Sequence, residues 1–433
     1  MKKIIIGLLI LVMQTSCSQE KKENTTKFDI DYLFTNVSII PMNKEIVLSN
    51  KNIAIKNGKI IEITDNSKQF NSVAHTIDLK GKYIMPALSD AHVHLPKDKT
   101  ALKKLLTLQL INGVTKIKSM RGNWKHTEWR KEYNTNNSIY PKMYLAAPPI
   151  HRKHNFDTNQ LNKFVTNVKK QKFDFIKILS IKDENLFKLL DSLCKINNVA
   201  LAGHFPKNIT DKTIFNSNYT SFEHLGGLTG ISSELLNSRM NNIKQKNIFL
   251  CPTLSWYSVG SGRYSYEELR NLAGMQFIAK EKVDNWITKT KQYREKLGEQ
   301  AYKDEVTSEL KKIDEKYKVI NKLKDLNVKM LLSPDCSTKY LIPGFGMYGE
   351  MKLLKNTNLS NFDILKMGTV NFSEFFKGNY GTLEVGKDAD FLILNENPLN
   401  NLRTLTSIDG IYFNTNYIDN KKLKELSKSI LPN

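Results

Sequence analysis

Two histidines, His92 and His94, lie two residues apart just after the apolar run YIMPAL. In a β-strand, residues at positions i and i+2 point to the same face, so both imidazoles can reach one metal ion. An isolated pair of this kind is weak support for a metal site. Its meaning therefore depends on which other ligands the chain supplies.

Four further side chains could complete a metal centre with this pair. Each lies at the end of a predicted apolar strand or within one, and they are Lys177, His204, His224 and Asp335. Two divalent cations about 3.5–4 Å apart repel each other and need an anionic bridge. Neutral imidazoles add affinity, and a carboxylate can hold both a metal and a water molecule. The ordered set predicts a two-metal hydrolytic centre.

Lys177 is the unexpected member of this set, because an ammonium group cannot bind a cation. Its neighbours Phe175, Ile176 and Ile178 predict burial, and burial lowers the pKa of a lysine. As a neutral amine, Lys177 could add carbon dioxide and become a carbamate that bridges two metals. The alternative is a lysine that forms an ion pair inside the core.

The candidate ligands need a scaffold that brings distant segments together. From Ile84 onward, short apolar strands alternate with amphipathic helices, and the candidate strands are YIMPAL, GVTKIKSM, KMYLAAPPI, DFIKILSI, VALAGHF, YTSFEHL, NIFLCPTL and VKMLLSPD. This alternation predicts an α/β fold of the (β/α)8 type, the TIM barrel. In such barrels the functional residues lie at the C-terminal ends of the strands, where the candidate ligands are predicted to be.

The segments on either side of the barrel predict a second, smaller unit. Residues 28–83 have the pattern of short strands, with a hairpin turn at Asn57 and Gly58, and residues 378–433 return to this pattern. Together they predict a small β-sandwich domain beside a barrel formed by residues 84–377. A charged helical insertion at about residues 262–326 precedes the last barrel strand. It is either a solvated helical hairpin or a lid over the barrel mouth.

The chain is strongly basic, with a formal net charge of +22 over 433 residues. The lysines are scattered among Asn and Ile and form no basic stripe interleaved with aromatic residues, so no nucleic-acid partner is expected. The positive field would instead favour an anionic small-molecule substrate. A homo-oligomer is compatible with the sequence.

The N-terminus predicts export. A positively charged start precedes the apolar segment Ile4 to Met13, which is too short to span a bilayer, and the sequence QTSC then ends at Cys17. Residues 1–17 resemble a bacterial lipoprotein signal in which Cys17 is lipidated, and residues 18–27 would form a polar tether. We therefore expect a membrane-anchored lipoprotein on the periplasmic or cell-surface side. Secretion without a lipid is the alternative.

Six motifs carry a resemblance to a known family, and they are GKYIMPALSDAHVH, INGVTKIKSM, DFIKI, GHFP, FEHL and GTLEVGKDADFLILNENPL. They are similar to motifs of the amidohydrolase superfamily, in particular its imidazolonepropionase-like and prolidase-like branch, over residues from about Val37 to Leu399. The resemblance implies that one metal is held by His92, His94, Asp335 and carbamylated Lys177. It implies that the other is held by Lys177, His204 and His224. Zinc is the default metal for a histidine-rich set.

The resemblance also implies an activity. We expect hydrolysis of C–N bonds, amide or peptide-like, in small molecules through a metal-bridged hydroxide. Asp335 would take the proton of the water and pass it to the leaving nitrogen. Dipeptides or N-acyl amino acids are the expected substrates, and the alternatives on the same scaffold are a cyclic amidase, a lactonase or a deaminase. The alternative of another class is a non-catalytic surface-binding lipoprotein.

Residues that follow predicted strands at the barrel mouth are candidates for substrate binding, and they are His151, Arg152, Tyr257 and Arg121. Glu223, beside a predicted ligand, could orient that ligand from behind. The sequence pattern favours a different position for Glu223, facing the outer layer of the barrel.

Overall fold

Two hydrogen-bonded sheets organise the part of the chain that the structure, a computed structural model, describes: residues 29–65, 67, 68 and 70–432. One sheet has seven parallel strands surrounded by helices, and the other has eight strands drawn from both ends of the chain. The predicted signal, the tether and the lipidation site Cys17 lie outside the described residues.

The strands follow one another along the described chain in two groups, five before the barrel and three after it. In chain order the strands are β1 Ile30–Ile39, β2 Leu48–Lys56, β3 Lys59–Asp65, β4 Val73–Asp78, β5 Tyr83–Pro86, β6 Leu88–Val93, β7 Val114–Ser119, β8 Lys142–Ile150, β9 Phe175–Ile178, β10 Ala200–Gly203, β11 Tyr219–Glu223, β12 Phe249–Cys251, β13 Phe391–Leu394, β14 Gly410–Phe413 and β15 Asn416–Asp419.

Helices connect the barrel strands, and polar caps mark where several begin. The helices are α1 Lys99–Leu110, α2 His126–Tyr133, α3 Thr158–Lys170, α4 Glu184–Asn197, α5 Asp211–Phe215, α6 Ser233–Gln245, α7 Leu254–Gly260, α8 Tyr266–Arg270, α9 Lys280–Leu297, α10 Glu299–Asp325, α11 Gly346–Leu354, α12 Asn361–Gly368, α13 Val370–Phe376 and α14 Asn420–Lys428. The side chains of Asp98, Asp157 and Asp183 accept hydrogen bonds from the first turns of α1, α3 and α4. No helix in the described residues is both long enough and apolar enough to cross a membrane.

The smaller sheet, which we call the composite sheet, has the order β15-β14-β13-β5-β1-β2-β3, and β4 also pairs with β1. Its core includes the fully buried rings of Phe34, Phe391 and Tyr412, with the first two 5.2 Å apart between centroids. The predicted hairpin turn joins β2 to β3, and Asn57 and Gly58 have φ values of 50° and 69°, as a tight turn of this kind requires. The predicted sandwich is thus one continuous hydrogen-bonded network of eight strands.

The larger sheet is a nearly closed barrel with the strand order β12-β11-β10-β9-β8-β7-β6. The gap between β12 and β6 is filled by residues 328–335, which were predicted as the eighth strand. The Leu331 amide donates to the Leu250 carbonyl at 2.7 Å, and the Ala91 amide donates to the Leu332 carbonyl at 3.0 Å. Regular pairing is limited to an isolated bridge between Leu250 and Met330. The predicted α/β fold of the TIM-barrel type is confirmed.

One strand assignment was wrong. The run YIMPAL was predicted as the first barrel strand, but Tyr83–Pro86 forms β5 of the composite sheet, between β1 and β13. The first barrel strand is β6, which begins at Leu88. Only Ala87 separates the two strands, so the apolar run passes from one sheet into the other without a loop. His92 therefore lies within β6, and His94 lies just beyond its end.

The predicted helical insertion contains α8, α9 and α10, and α9 and α10 join at Gly298. Helix α10 packs along α7, and its buried face includes Ile313 and Lys316. The Lys316 ammonium lies 3.9 Å from the ring centroid of Tyr257, and Glu315 accepts a hydrogen bond from the Gly230 amide at 2.7 Å. The insertion is therefore anchored to the barrel along α10.

Candidate metal centre

The structure brings all six predicted ligands to one end of the barrel. His92 Nε2 lies 3.3 Å from His94 Nε2 and 3.7 Å from Asp335 Oδ2. His224 Nε2 lies 3.8 Å from the same Asp335 oxygen. These distances are short for side chains that come from three separate segments, and they place the donor atoms around a common point.

The other two predicted ligands complete the group. Lys177 Nζ lies 3.4 Å from His92 Nε2, and the ring centroid of His204 lies 5.1 Å from that of His224. Lys177 comes from β9, and His204 follows β10 directly. Because β9 and β10 are adjacent parallel strands, their ends meet at the same edge of the barrel.

Unusual backbone conformations aim several of these side chains. His224 and Asp335 have φ values of 65° and 49°, in the left-handed region that few non-glycine residues adopt. A glycine, Gly203, precedes His204, with φ at 130°, and a Cβ there would lie 2.2 Å from the Ile178 carbonyl oxygen. Strained residues of this kind persist where the surrounding structure holds them, and they cluster at functional sites.

The cluster has the chemistry of a divalent metal site. Ligand atoms of His92, His224 and Asp335 all lie within 4.8 Å of one another. Burial, aided by neighbouring positive charge, lowers the pKa of both histidines well below the ordinary value, so their imidazoles are neutral donors. Asp335 Oδ1 is buried and has no hydrogen-bond partner among the described residues. These donors therefore fit a cation.

Lys177 is enclosed but has no carboxylate partner. Its side chain is 1% exposed, and no ion pair within the described residues involves it. Burial lowers the pKa of its ammonium group, and the negative charges of Glu223 and Asp335 oppose that shift only in part. A lysine in this state reaches the neutral form more readily than an exposed one, as the carbamate hypothesis requires.

Glu223 corrects the sequence interpretation. It was predicted to face the outer layer of the barrel, but it is fully buried inside, and its Oε2 lies 2.8 Å from His92 Nδ1. Its other oxygen accepts hydrogen bonds from Lys118 Nζ at 2.8 Å and from Ser221 Oγ at 2.9 Å. The carboxylate fixes the ring of His92 from behind and leaves Nε2 free to face the cluster.

A second buried carboxylate holds the segment that carries Asp335. Asp90 accepts hydrogen bonds from Ser333 Oγ at 2.6 Å and from Gln109 Nε2 at 2.8 Å. The Asp335 amide donates to the same Ser333 oxygen at 3.2 Å. Sequence analysis did not identify this network. The available signal was the acidic Asp90 two residues before His92, a spacing that puts both side chains on the same face of the strand.

The cluster opens into a cavity of about 770 Å³. Arg152 and Tyr257, two of the predicted substrate contacts, line this cavity together with Lys182, Lys207 and Trp256. The Tyr257 hydroxyl donates to the His224 carbonyl at 3.1 Å, which ties this wall to the metal cluster.

The other two predicted substrate contacts, Arg121 and His151, are exposed and lie outside the lining of the cavity. Burial is the main cause that lowers the pKa of His94 and of His204, and the positive charge of Arg121 adds to the effect on His94. A direct contact of either residue with substrate stays a prediction.

The comparison with known families agrees with this architecture. The profile of the Amidohydrolase family matches residues 155–420, more than half of the chain, and the chain belongs to that family.

The chain is similar in fold to the solved structures of several differently named enzymes. Bottromycin amidohydrolase superposes with a TM-score of 0.73 at 16% identity, covering 92% of this chain and 89% of that one. A Xaa-Pro dipeptidase with bound methionine in its active site gives 0.65 at 16% identity, covering 90% and 99%. A. niger ochratoxinase gives 0.65 at 15% identity, covering 89% and 95%. At such low identity these similarities establish the fold.

Sequence similarity to curated proteins is limited to short stretches. Adenine deaminase from Methanococcoides burtonii is 31% identical over 93 residues, which is 22% of this chain and 16% of that protein. A 5-methylthioadenosine/S-adenosylhomocysteine deaminase from Bacillus thuringiensis is 38% identical over 66 residues, 14% of this chain and 15% of that protein. The chain thus matches only about a sixth of the length of these relatives.

Proposed function

We propose that this chain is a metal-dependent hydrolase that cleaves C–N bonds, amide or peptide-like, in small molecules. One observation carries the proposal. Six potential ligands converge at one end of the barrel, and five of them line a large cavity. Among these five, Asp335 presents a buried oxygen that has no hydrogen-bond partner among the described residues. Membership of the Amidohydrolase family supports the same reaction class.

The residues that would hold metal divide into two sets that share a lysine. His92, His94 and Asp335 would hold one ion, and His204 and His224 the other. Lys177 would bridge both after its neutral amine adds carbon dioxide, which forms a nitrogen–carbon bond and releases one proton. When bound, two divalent ions, zinc by default for such a set, would lower the pKa of water and polarise a carbonyl group.

Asp335 is the residue that would move protons. Burial raises the pKa of its carboxyl group above the ordinary value, which makes its carboxylate a better proton acceptor. It would accept a proton from the attacking water and deliver it to the leaving nitrogen. Its position between His92 and His224 keeps it within reach of the reacting atoms.

The cavity wall favours a substrate that combines a negative charge with an apolar group. Arg152, Lys182 and Lys207 supply cations, whereas Phe205 and Trp256 supply aromatic surface. No ion pair within the described residues neutralises any of the three cations. Dipeptides and N-acyl amino acids have this combination, and the similarity in fold to a Xaa-Pro dipeptidase supports the choice.

The short stretches shared with deaminases favour a second candidate, hydrolytic deamination on the same scaffold. Cyclic amides and lactones remain within the same chemistry. A non-catalytic binding role is less well supported, since a protein that only binds has no need to keep all six predicted ligands. We also propose export and lipid anchoring at Cys17, which is supported by the charged, apolar and polar order of the N-terminal segments.

The test uses the full-length chain in mild detergent, loaded with zinc in bicarbonate buffer, and measures amine release from a library of dipeptides and N-acyl amino acids. We expect hydrolysis of some members. Asp335→Asn should lower the rate more than about a hundredfold, the size of effect that positioned acid–base groups supply. Asp98→Asn is the matched control, because asparagine also caps a helix and the rate should not change.

Two outcomes distinguish an error in the proposed mechanism from an error in the proposed substrate. If Asp335→Asn keeps its metal and its full rate, the proposed role of Asp335 is wrong. If the wild-type protein holds two metals and releases no amine from any member, the proposed substrate is wrong. We would then expect a deamination substrate, a cyclic amide or a lactone. Release of ammonia from an aminopurine or of acid from a lactone would then identify the class.

A further inference from the structure

A second cavity, of about 510 Å³, lies on the opposite side of α7 from the metal cluster, and we call it the accessory cavity. The two cavities share no lining residue. Helix α7 separates them, because Trp256 and Tyr257 face the first cavity while Ser255, Ser258 and Val259 face the second. The volume is within the range of about 300–1,000 Å³ that is usual for small-molecule sites.

Most of the wall of the accessory cavity is apolar. Leu272, Ile342, Phe345 and Leu353 line it, and Tyr264 adds an aromatic face. Ile342 is only 2% exposed, so the inner part of this wall is built into the core that surrounds the helical insertion. An apolar body placed here would lose its contact with water, which is favourable.

The charged side chains that line the accessory cavity are all positive. Arg263 and Lys352 lie at the exposed rim, and no acidic side chain is among the lining residues. Neither cation forms an ion pair within the described residues. A ligand carboxylate at the rim would therefore meet two positive charges that are not held in ion pairs.

Ser255 adds a polar group inside the cavity. The residue is 3% exposed, and its hydroxyl lies beside the carboxylate of Glu350, whose pKa its hydrogen bond lowers. Its backbone is held in place, since the amides of Leu254 and Ser255 donate to the buried carboxylate of Glu350 at 2.7 and 2.6 Å. A hydroxyl can accept as well as donate, so the Ser255 hydroxyl could also accept a hydrogen bond from a ligand.

We propose that the accessory cavity binds a small organic acid with an apolar or aromatic body. The body would lie against Phe345 and Leu353, and the carboxylate would lie at the rim beside Arg263 and Lys352. The assignment does not depend on the reaction at the metal cluster, because no residue of that cluster lines this cavity.

Gly349 provides a selective way to close the site. It lies in α11 and lines the cavity, and beyond its own helix the nearest described heavy atom to a Cβ built there is Ser255 Oγ at 3.8 Å. Alanine is therefore accommodated, whereas the branched end of leucine would extend into the empty volume. Gly349→Leu should fill the cavity, and Gly349→Ala is its matched control.

The experiment measures binding of 3-phenylpropionate and of its neutral analogue 3-phenylpropan-1-ol to the full-length, zinc-loaded protein by titration calorimetry. We expect saturable binding of the acid to wild type and to Gly349→Ala, and affinity lower by more than about tenfold in Gly349→Leu. The alcohol should bind about fivefold more weakly than the acid, because it cannot use the rim cations. Arg263→Gln, an exposed change that does not threaten folding, should remove most of that difference.

The same variants distinguish binding in the accessory cavity from binding at the metal cluster, since Gly349 and Arg263 do not line the cavity beside the cluster. Equal affinity for the acid in wild type, Gly349→Leu and Arg263→Gln would place all binding elsewhere and overturn the proposal. Absence of saturable binding to wild type would also overturn it. Thermal unfolding of each variant checks that Gly349→Leu is folded, and Arg263→Gln carries the test alone if it is not.

Discussion

Two lysines inside the same barrel have opposite surroundings. Lys118, on β7, is fully buried, lies 2.8 Å from a carboxylate oxygen of Glu223 and hydrogen-bonds to Ser221 at 3.0 Å. Lys177, on β9, is as deeply buried, but its nearest polar contact is an imidazole of the metal cluster. The protein pairs one buried lysine with a carboxylate, whereas the other forms no ion pair among the described residues and is compensated only in part by Glu223 and Asp335.

A third buried lysine on a barrel strand is also paired with a carboxylate. Lys116 also belongs to β7, and its ammonium group contacts the carboxylate of Asp390 just before β13 of the composite sheet. Isolated buried charges cost several kcal/mol or change their protonation state. The difference teaches that Lys116 and Lys118 each contact a carboxylate, whereas Lys177 forms no ion pair among the described residues.

The largest expected effect is on folding. Lys118→Met leaves Glu223 buried without its counter-charge, so the free energy of unfolding should fall by about 3–5 kcal/mol. The double variant Lys118→Met with Glu223→Gln removes both charges and should recover most of that loss. Urea denaturation of the metal-free wild type, single variant and double variant measures the free energy of unfolding of each. Equal stability of the single and double variants would show that the pair is not coupled.

The same substitution at the other lysine should affect the reaction and spare the fold. Lys177→Met should change the free energy of unfolding of the metal-free protein by less than about 1 kcal/mol. The hydrolysis rate should fall by more than about a hundredfold, at least the loss that removal of an outer-shell partner of a metal can cause.

The carbamate itself has a direct readout. In ¹³C-bicarbonate, wild type should show a protein-bound carbamate carbon signal by NMR that Lys177→Met lacks, and zinc analysis should show fewer bound ions in the variant. A variant with two zinc ions and full activity would contradict the bridging role of Lys177.

The smallest expected effect on stability comes from Ser221, whose hydroxyl links Lys118 to the carboxylate of Glu223. Ser221→Ala removes one acceptor for Lys118 and one donor to Glu223 but leaves their direct contact in place, so stability should fall by about 1 kcal/mol. Ser238→Ala, on an exposed face of α6, is the matched control and should stay within about 0.5 kcal/mol of wild type. A loss as large as that of Lys118→Met would mean that Ser221 is essential to the pair.

The sequence was sufficient for the barrel and for the six candidate ligands, because strand ends and histidine spacing are local patterns. The first barrel strand was misplaced, since Pro86 and Ala87 give no turn between β5 and β6. The environment of Glu223 was also missed. Its partners Lys118 and His92 lie more than a hundred residues away, and only the register of the closed barrel decides which side chains meet.

The composite sheet has a consequence for the order in which the chain can fold. Strand β5 lies between β1 and β13, and β13 follows all the barrel strands in the sequence, so it is synthesised after them. Until residues 391–419 have left the ribosome, the edge of β5 has no partner, and apolar residues such as Ile84 and Met85 stay uncovered. Unpaired edges of this kind favour association between chains. The sheet is therefore completed only after the barrel strands have been synthesised. Truncation before Phe391 would leave β5 as an aggregation-prone edge strand beside the barrel.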